Sequence, residues 1–334
     1  MLIEGRNINT HKAVHIGHMR NILVSEAVAR IEKFAGNEVV RVCYPGDVGA
    51  HVAKRLRYYL NFTGQELPNE SFTKRVGQLY TQATIKVDEH PDEYKAQIEA
   101  LQKKLEDGDV ALQRIWKETR RLCLADLEKI LTELGSSNFD KRYFESEVEQ
   151  AGIQIVQQML AEGIAQYSQG AVAINLEAWK LDWFLLLKST GASLYSTKDI
   201  ALAYQKKADF PHYAMSLYVV GSEQEHHFQQ LFKTLELIGF EYNKLHHLSY
   251  GLLDLKGEKM SSRAGNVILY EDFRDQMLEQ AETMMKERSL LAEQKKPTAR
   301  AVAFGAIKFR ILLQDSEKKI LFDREQALSF EGET

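Results

Sequence analysis

Cysteine is nearly absent from this chain: Cys43 and Cys123 are the only two in 334 residues. That excludes a disulfide framework and a cysteine-rich zinc site, and it favours a reduced, cytoplasmic setting. Proline is almost as scarce, with 5 against 20 glycines, so the chain does not read as a linker-rich array. No internal repeat or low-complexity tract interrupts it. No stretch approaches the roughly 18 consecutive apolar residues of a membrane span, and Met1 to Lys12 carries no apolar signal core. Neither sign of charge dominates. With a net charge of −4, general polyanion binding is not expected, and a nucleic-acid partner would need a local basic face.

The chain is long enough for a large core in one or two domains. Its 44% hydrophobic and 27% charged residues place it with ordinary globular proteins. Met1-Leu2-Ile3 is a short apolar start. Met19, Ile22, Leu23, Ala27, Val28 and Ile31 recur near every 3.6 residues, which predicts a helix. Asn37 to Val42 reads as a second strand, ended by Pro45-Gly46-Asp47. Strand, helix and strand in this order form a βαβ unit, hence a right-handed crossover and a parallel sheet. From Asn61 to Ser137 the pattern is polar and helical, over Phe72 to Val87 and Tyr94 to Leu134, with a break at Glu106-Asp107-Gly108-Asp109. This is a helical insertion; a solvated hairpin without chemistry fits the same pattern. Strand-like pieces return at Gly170 to Ile174, Trp183 to Lys188 and Leu217 to Val220, with a helix over Lys198 to Lys207. Two further helices, Phe273 to Leu290 and Thr298 to Leu313, are expected on either side of Lys295-Lys296-Pro297. The expected division is a parallel-sheet domain at 1–60 and 138–285, a helical insertion at 61–137, and a helical segment at 286–334.

Two distant segments carry the chemistry. His15-Ile16-Gly17-His18 falls between the first strand and the first helix, at the carboxyl edge where such sheets bind ligands. Helix N-terminal amides favour phosphate there. Histidines three apart lie on one side of the first turn and can donate to phosphate oxygens, while Gly17 leaves the backbone bare for a flat base. The same tetrad is also compatible with two surface histidines at a helix start; a zinc site lacks a third ligand at a typical spacing. Lys259-Met260-Ser261-Ser262-Arg263 sits in a run of small and polar residues. Lys259 and Arg263 can stabilise charge moving onto pyrophosphate, each contributing on the order of a hundredfold in rate. Alone, that run is equally a solvated loop. Together, the two segments are the paired signature of an enzyme that directs a carboxylate at the α-phosphate of ATP. A third set is acidic and polar: Glu4, Asn9, Glu145, Tyr195, Asp199 and Gln224. Tyr195 and Asp199, four apart, can face one pocket, and carboxylates grip a guanidinium bidentately. Singly, each is as readily a cap or a surface charge.

These residues resemble the catalytic domain of the arginyl-tRNA synthetases, a class I family. The resemblance runs through Asn7 to Asn21 around the histidine tetrad, Tyr44 to His51, Phe139-Asp140 with Glu145-Ser146, Leu194 to Ala201, Tyr218 to His227, and Phe322 to Gly332. It implies an α/β fold: a Rossmann-like parallel-sheet catalytic domain with a helical insertion and C-terminal helices. By resemblance, His15 and His18 contact the ATP phosphates, and Lys259 acts from its loop. Gly17, His227, Met260, Ser261, Ser262 and Arg263 line the nucleotide. Glu145, Tyr195 and Asp199 face the guanidinium of arginine, and Glu4, Asn9 and Gln224 hold its α-amino and carboxylate end. The implied substrates are arginine, ATP with Mg2+, and arginine tRNA, with no zinc and no membrane.

Three departures from the family pattern stand out. Ser262 occupies a place where most class I synthetases carry a second lysine; Lys12, just before the first motif, is the implied compensation. The chain begins at the first strand, without the family's N-terminal tRNA-elbow domain, and stops at Thr334, before its anticodon-binding domain. The resemblance therefore implies arginine--tRNA ligase chemistry with most tRNA-binding domains absent. The rival is a truncated, synthetase-like module that binds arginine or nucleotide and charges nothing. A related cysteine enzyme would need a zinc cluster that two cysteines do not supply.

Overall fold

The computed structural model describes residues 1–61, 71–75, 87, 91–136, 138–255 and 268–322. In chain order the elements are β1 (Leu2–Glu4), α1 (Ile16–Phe34), β2 (Val40–Cys43), α2 (Ala50–Asn61), α3 (Pro91–Glu106), α4 (Val110–Glu133), β3 (Lys141–Arg142), α5 (Glu145–Ala161), β4 (Gln166–Ser168), β5 (Ala171–Asn175), β6 (Trp183–Leu187), α6 (Tyr195–Asp209), β7 (Ser216–Gly221), α7 (Glu225–Leu237), β8 (Leu245–Tyr250), β9 (Leu253–Leu255), α8 (Tyr270–Lys286), α9 (Ala292–Leu312) and β10 (Ile320–Phe322). They pack as two compact units. The first draws on Met1–Asn7, Ala27–Gly46 and Phe139–Tyr250, the second on Ile8–Glu26, Asp47–Asn138 and Gly251–Thr334.

The first unit is built on a five-stranded sheet in the order β3-β2-β1-β7-β8, parallel throughout. Leu2 and Ile3 are buried on β1, as are Val42 and Cys43 on β2. Continuous apolar runs suit strands covered on both faces. The chain leaves β1 toward β2 on one side and returns as β7 on the other, so the strand order reverses at β1. In open parallel sheets the carboxyl ends at such a reversal form the ligand crevice. Here those ends carry Glu4 and Gly221. The strand-like pieces at β5 and β6 join β4 in a separate antiparallel sheet of three strands. Its inner residues share one core with α5, α6 and α7, through Val156, Ile174, Leu186, Ile200, Leu231 and Leu235. Gly152 lets α5 approach α6 closely, since a Cβ there would lie 2.7 Å from the Thr197 carbonyl oxygen.

In the second unit, Val52 and Leu56 of α2, Leu105 of α3 and Trp116 of α4 form one cluster. Buried Phe273, Met277, Ala281 and Met285 recur every four residues on α8, which packs against α9. Arg20, on α1, is 1% exposed. Its Nη2 donates to the carbonyls of Asp315 (3.2 Å), Ser316 (3.1 Å) and Lys318 (2.9 Å), holding that returning segment beside the helix.

Two expectations are corrected. Pro297 does not separate helices; α9 begins at Ala292 and contains it. A proline there removes the N–H that would reach the Glu293 carbonyl, but both residues are exposed, so water can take that bond. Ile31, which fits the apolar period of α1, is 65% exposed, because the helix runs into solvent from Arg30 onward. The expected helix over Phe72 to Val87 lies mostly outside the described residues.

Candidate active site

On the first unit, residues from β1, α5, α6 and α7 bring a set of charged groups together. Tyr195 and Asp199 share the first turns of α6, and His227 is the third residue of α7. Its Nε2 lies 2.7 Å from Asp199 Oδ2, and its ring is 4.7 Å from that of Tyr195. Its buried Nδ1 has no hydrogen-bond partner among the described residues. Tyr195 is exposed and Asp199 half-buried, so this wall is open on the tyrosine side. Glu145 starts α5 and pairs with Lys198 Nζ. The two acids expected on one guanidinium are thus partnered separately, Asp199 by an imidazole and Glu145 by an ammonium.

Glu4 faces inward. It is 4% exposed, and Lys206 Nζ donates to its Oε2 at 2.8 Å while Asn7 Nδ2 donates to Oε1 at 3.0 Å. The Lys206 ammonium also lies 3.7 Å from the centre of the Tyr218 ring. Burial alone would pull the Lys206 pKa down; the Glu4 charge and Tyr218 outweigh it and hold it above its ordinary value. Gln224 closes a short 3-10 turn after β7 and caps α7. No sequence signal links Lys198 to Glu145 or Lys206 to Glu4.

On the second unit, the histidine tetrad opens α1. The rings of His15 and His18 stack with centroids 3.7 Å apart, and the His15 backbone N–H donates to His18 Nδ1 at 3.2 Å. His18 therefore keeps its proton on Nε2, where it can donate to an oxyanion. Burial, and then the Lys12 charge, lowers His15 to about 4. Burial, then His15 and Lys12, lowers His18 well below its ordinary value. Both imidazoles are neutral at pH 7 and remain donors. Gly17 is the second residue of the helix. Asn9 and Lys12 line a small cleft with Ile8, Thr73 and Cys123. Beneath it His11 holds Thr10 and Thr119 at 2.9 Å each.

Lys259, Met260, Ser261, Ser262 and Arg263 lie outside the described residues, as do the family-like residues from Asp323 to Gly332. The segment that follows the first of these runs is described. Leu269 pairs with His15 in an antiparallel bridge, Ile16 N–H donates to the Ile268 carbonyl at 3.1 Å, and Tyr270 N–H donates to that of Val14 at 2.9 Å. The chain that leaves the cationic run is thereby fastened to the histidine tetrad. Among the described residues no cluster of three or more His, Cys, Asp or Glu is placed to hold a metal ion. No described helix is long and apolar enough to cross a membrane.

The five-stranded parallel sheet that reverses at β1, with its covering helices, is an α/β fold of the class I synthetase type. Residues 1–323 match the family described as tRNA synthetases class I (R), catalytic domain. The chain belongs to this family. It is 35% identical over 342 residues to an arginine--tRNA ligase of Bdellovibrio bacteriovorus, covering 100% of this chain and 59% of that protein. Against an arginine--tRNA ligase of Treponema pallidum it is 32% identical over 341 residues, covering 100% and 58%. Its fold matches the arginyl-tRNA synthetase of Thermus thermophilus with a TM-score of 0.81 at 25% identity, covering 100% of this chain and 61% of that one. The chain thus spans about three-fifths of the length of these relatives.

Proposed function

We propose that this chain activates arginine with ATP and transfers it to arginine tRNA in the cytoplasm. A carboxylate oxygen of arginine attacks the α-phosphorus of Mg-ATP in line. The bond to the bridging oxygen breaks, and pyrophosphate leaves with the electron pair. A hydroxyl of the terminal ribose then attacks the carbonyl carbon of the adenylate, and AMP departs. Such chemistry needs positioning and charge stabilisation rather than a protein nucleophile.

In this reading His15, His18 and Lys12 hold the phosphates, Gly17 lies under the base, and Lys259 with Met260, Ser261, Ser262 and Arg263 covers the triphosphate. Asp199, Tyr195 and Glu145 recognise the guanidinium, and Asn9, Gln224 and Glu4 the α-carbon substituents. Residues 1–60 and 138–285 are the catalytic domain, 61–137 its insertion, and 286–334 a further helical segment. The observation that carries the reading is the stacked, neutral histidine pair in a chain whose family match extends over residues 1–323. Neutral imidazoles donate to phosphate without first taking up a proton.

Arginine-dependent exchange of labelled pyrophosphate into ATP, with and without arginine tRNA, tests it. Exchange under either condition supports activation. Arginine binding without exchange under both supports the rival, a module that binds and does not charge.

A further inference from the structure

We infer that His227 is a positioning residue for arginine: it fixes the Asp199 carboxylate so that guanidinium recognition belongs to the Asp199–His227 pair and not to Asp199 alone. The inference rests on arginine being the substrate.

The two side chains come from different helices, α6 and α7, and meet at 2.7 Å. A carboxylate on the first turns of a helix has several rotamers, and each would present a different edge to a ligand. His227 removes that choice. It is 8% exposed, and aromatic rings pack on several sides of it: Phe184 at 5.5 Å, Tyr195 at 4.7 Å and Phe228 at 5.6 Å. Phe228 is itself stacked on His247 at 4.4 Å. The imidazole therefore has little room to swing, and its Nε2 is a fixed point. With Oδ2 committed to that nitrogen, Oδ1 is left to accept from an incoming guanidinium.

The second observation is the unpartnered Nδ1. A histidine serving only as core packing would gain from replacement by phenylalanine, which buries no orphan acceptor. Retaining an imidazole with one nitrogen unpaired makes sense where the other nitrogen has a task. An N–H on Nε2 fits the 2.7 Å contact: it donates to the carboxylate and fixes the direction of Oδ2.

The test uses the whole chain and three variants, His227→Phe, His227→Gln and Asp199→Asn. Calorimetry reads arginine and ATP separately, and 15N NMR reads the His227 ring. Phenylalanine keeps the ring shape and removes the donor, so the arginine Kd should rise about 10- to 100-fold, the worth of one hydrogen bond to a charged group. The ATP Kd is the comparison: because the resemblance also sets His227 near the nucleotide, the inference requires the loss for arginine to exceed any loss for ATP by about tenfold or more. Glutamine places an N–H near the position of Nε2 and should restore most of the arginine affinity. Asp199→Asn should shift the His227 ring nitrogens, reporting the pairing without any ligand. Unchanged arginine affinity in His227→Phe overturns the inference, as does equal loss of arginine and ATP, or no change in the ring nitrogens in Asp199→Asn. If the phenylalanine variant does not fold, failure of glutamine to keep arginine affinity has the same force. A wild-type chain with the NMR signature but no arginine binding would instead sink the functional reading, and this assignment with it.

Discussion

Replacing Lys206 by methionine isolates one buried charge and lets its cost be worked out. In the native protein Glu4 and Lys206 are 4% and 1% exposed and 2.8 Å apart. Methionine fills much of the same volume, so packing changes little and the missing ammonium dominates. The stranded carboxylate can stay charged at a large desolvation cost or take up a proton. Protonating a group with an ordinary pKa near 4.3 at pH 7 costs about 1.36 kcal/mol per unit, or roughly 3.7 kcal/mol. That agrees with the roughly 3–5 kcal/mol seen when one partner of a buried pair is removed. Protonation is the cheaper route, and it gives the penalty a pH signature. The loss in unfolding free energy should be near its full value at pH 7 and shrink by about 1.4 kcal/mol per unit on acidification toward pH 4.3. On the alkaline side, Lys206 has its pKa raised by folding. The native pair is therefore complete below about pH 10.4 and weakens only as the pH climbs through the raised value. Urea unfolding at pH 5, 6 and 7 reads the effect, and Lys206→Met combined with Glu4→Gln should recover most of it. A loss that is the same at pH 5 and pH 7, or below about 1 kcal/mol at pH 7 where a buried charge would be stranded, refutes the argument.

Three other outcomes follow from the same geometry. Because burial and Lys12 lower His15 to about 4, His15→Gln should reduce pyrophosphate exchange by about a hundredfold and by the same factor from pH 6 to pH 8; pH–rate profiles that converge at pH 6 would show that a titrating imidazole matters. Asp199→Ala should weaken arginine binding by about 2–4 kcal/mol and leave ATP binding intact, so normal arginine affinity in that variant removes Asp199 from the pocket. Gly152→Ala sets a Cβ 2.7 Å from the Thr197 carbonyl oxygen and should cost about 1–3 kcal/mol of stability; a neutral result in urea unfolding would mean that α5 and α6 can part at no cost.

Much of the scaffold is legible in the residues themselves. The apolar start, the near-3.6 period after it and the run from Asn37 to Val42 correspond to β1, α1 and β2, and the two strands do pair in parallel. Glu106 to Asp109 marks the break between α3 and α4. Local periodicity says nothing about partners distant in the chain. Glu4 and Lys206 lie 202 positions apart, and Asp199 and His227 lie 28 apart on separate helices. Only folding creates those pairs. They also add partners that no local pattern announces: Glu4 is buried against Lys206, and His227 lies on Asp199. Lys141–Arg142 is too short and too polar to be read as the strand it forms at the edge of the sheet. Proline misled at residue 297 because its usual helix-breaking effect is weak where water reaches the orphaned carbonyl.

Arg20 grips the chain opposite it at main-chain oxygens. The residues that supply them are exposed, and one of them also shapes the turn: Asp315 Oδ1 accepts from the Glu317 N–H at 3.1 Å. Ser316 and Lys318 are therefore at liberty to drift during evolution or to accept labels and tags, provided the path of the backbone is kept. The guanidinium has no such latitude, because a lysine ammonium lacks the planar fork that spans several oxygens at once. Identity is demanded of one partner and only shape of the other.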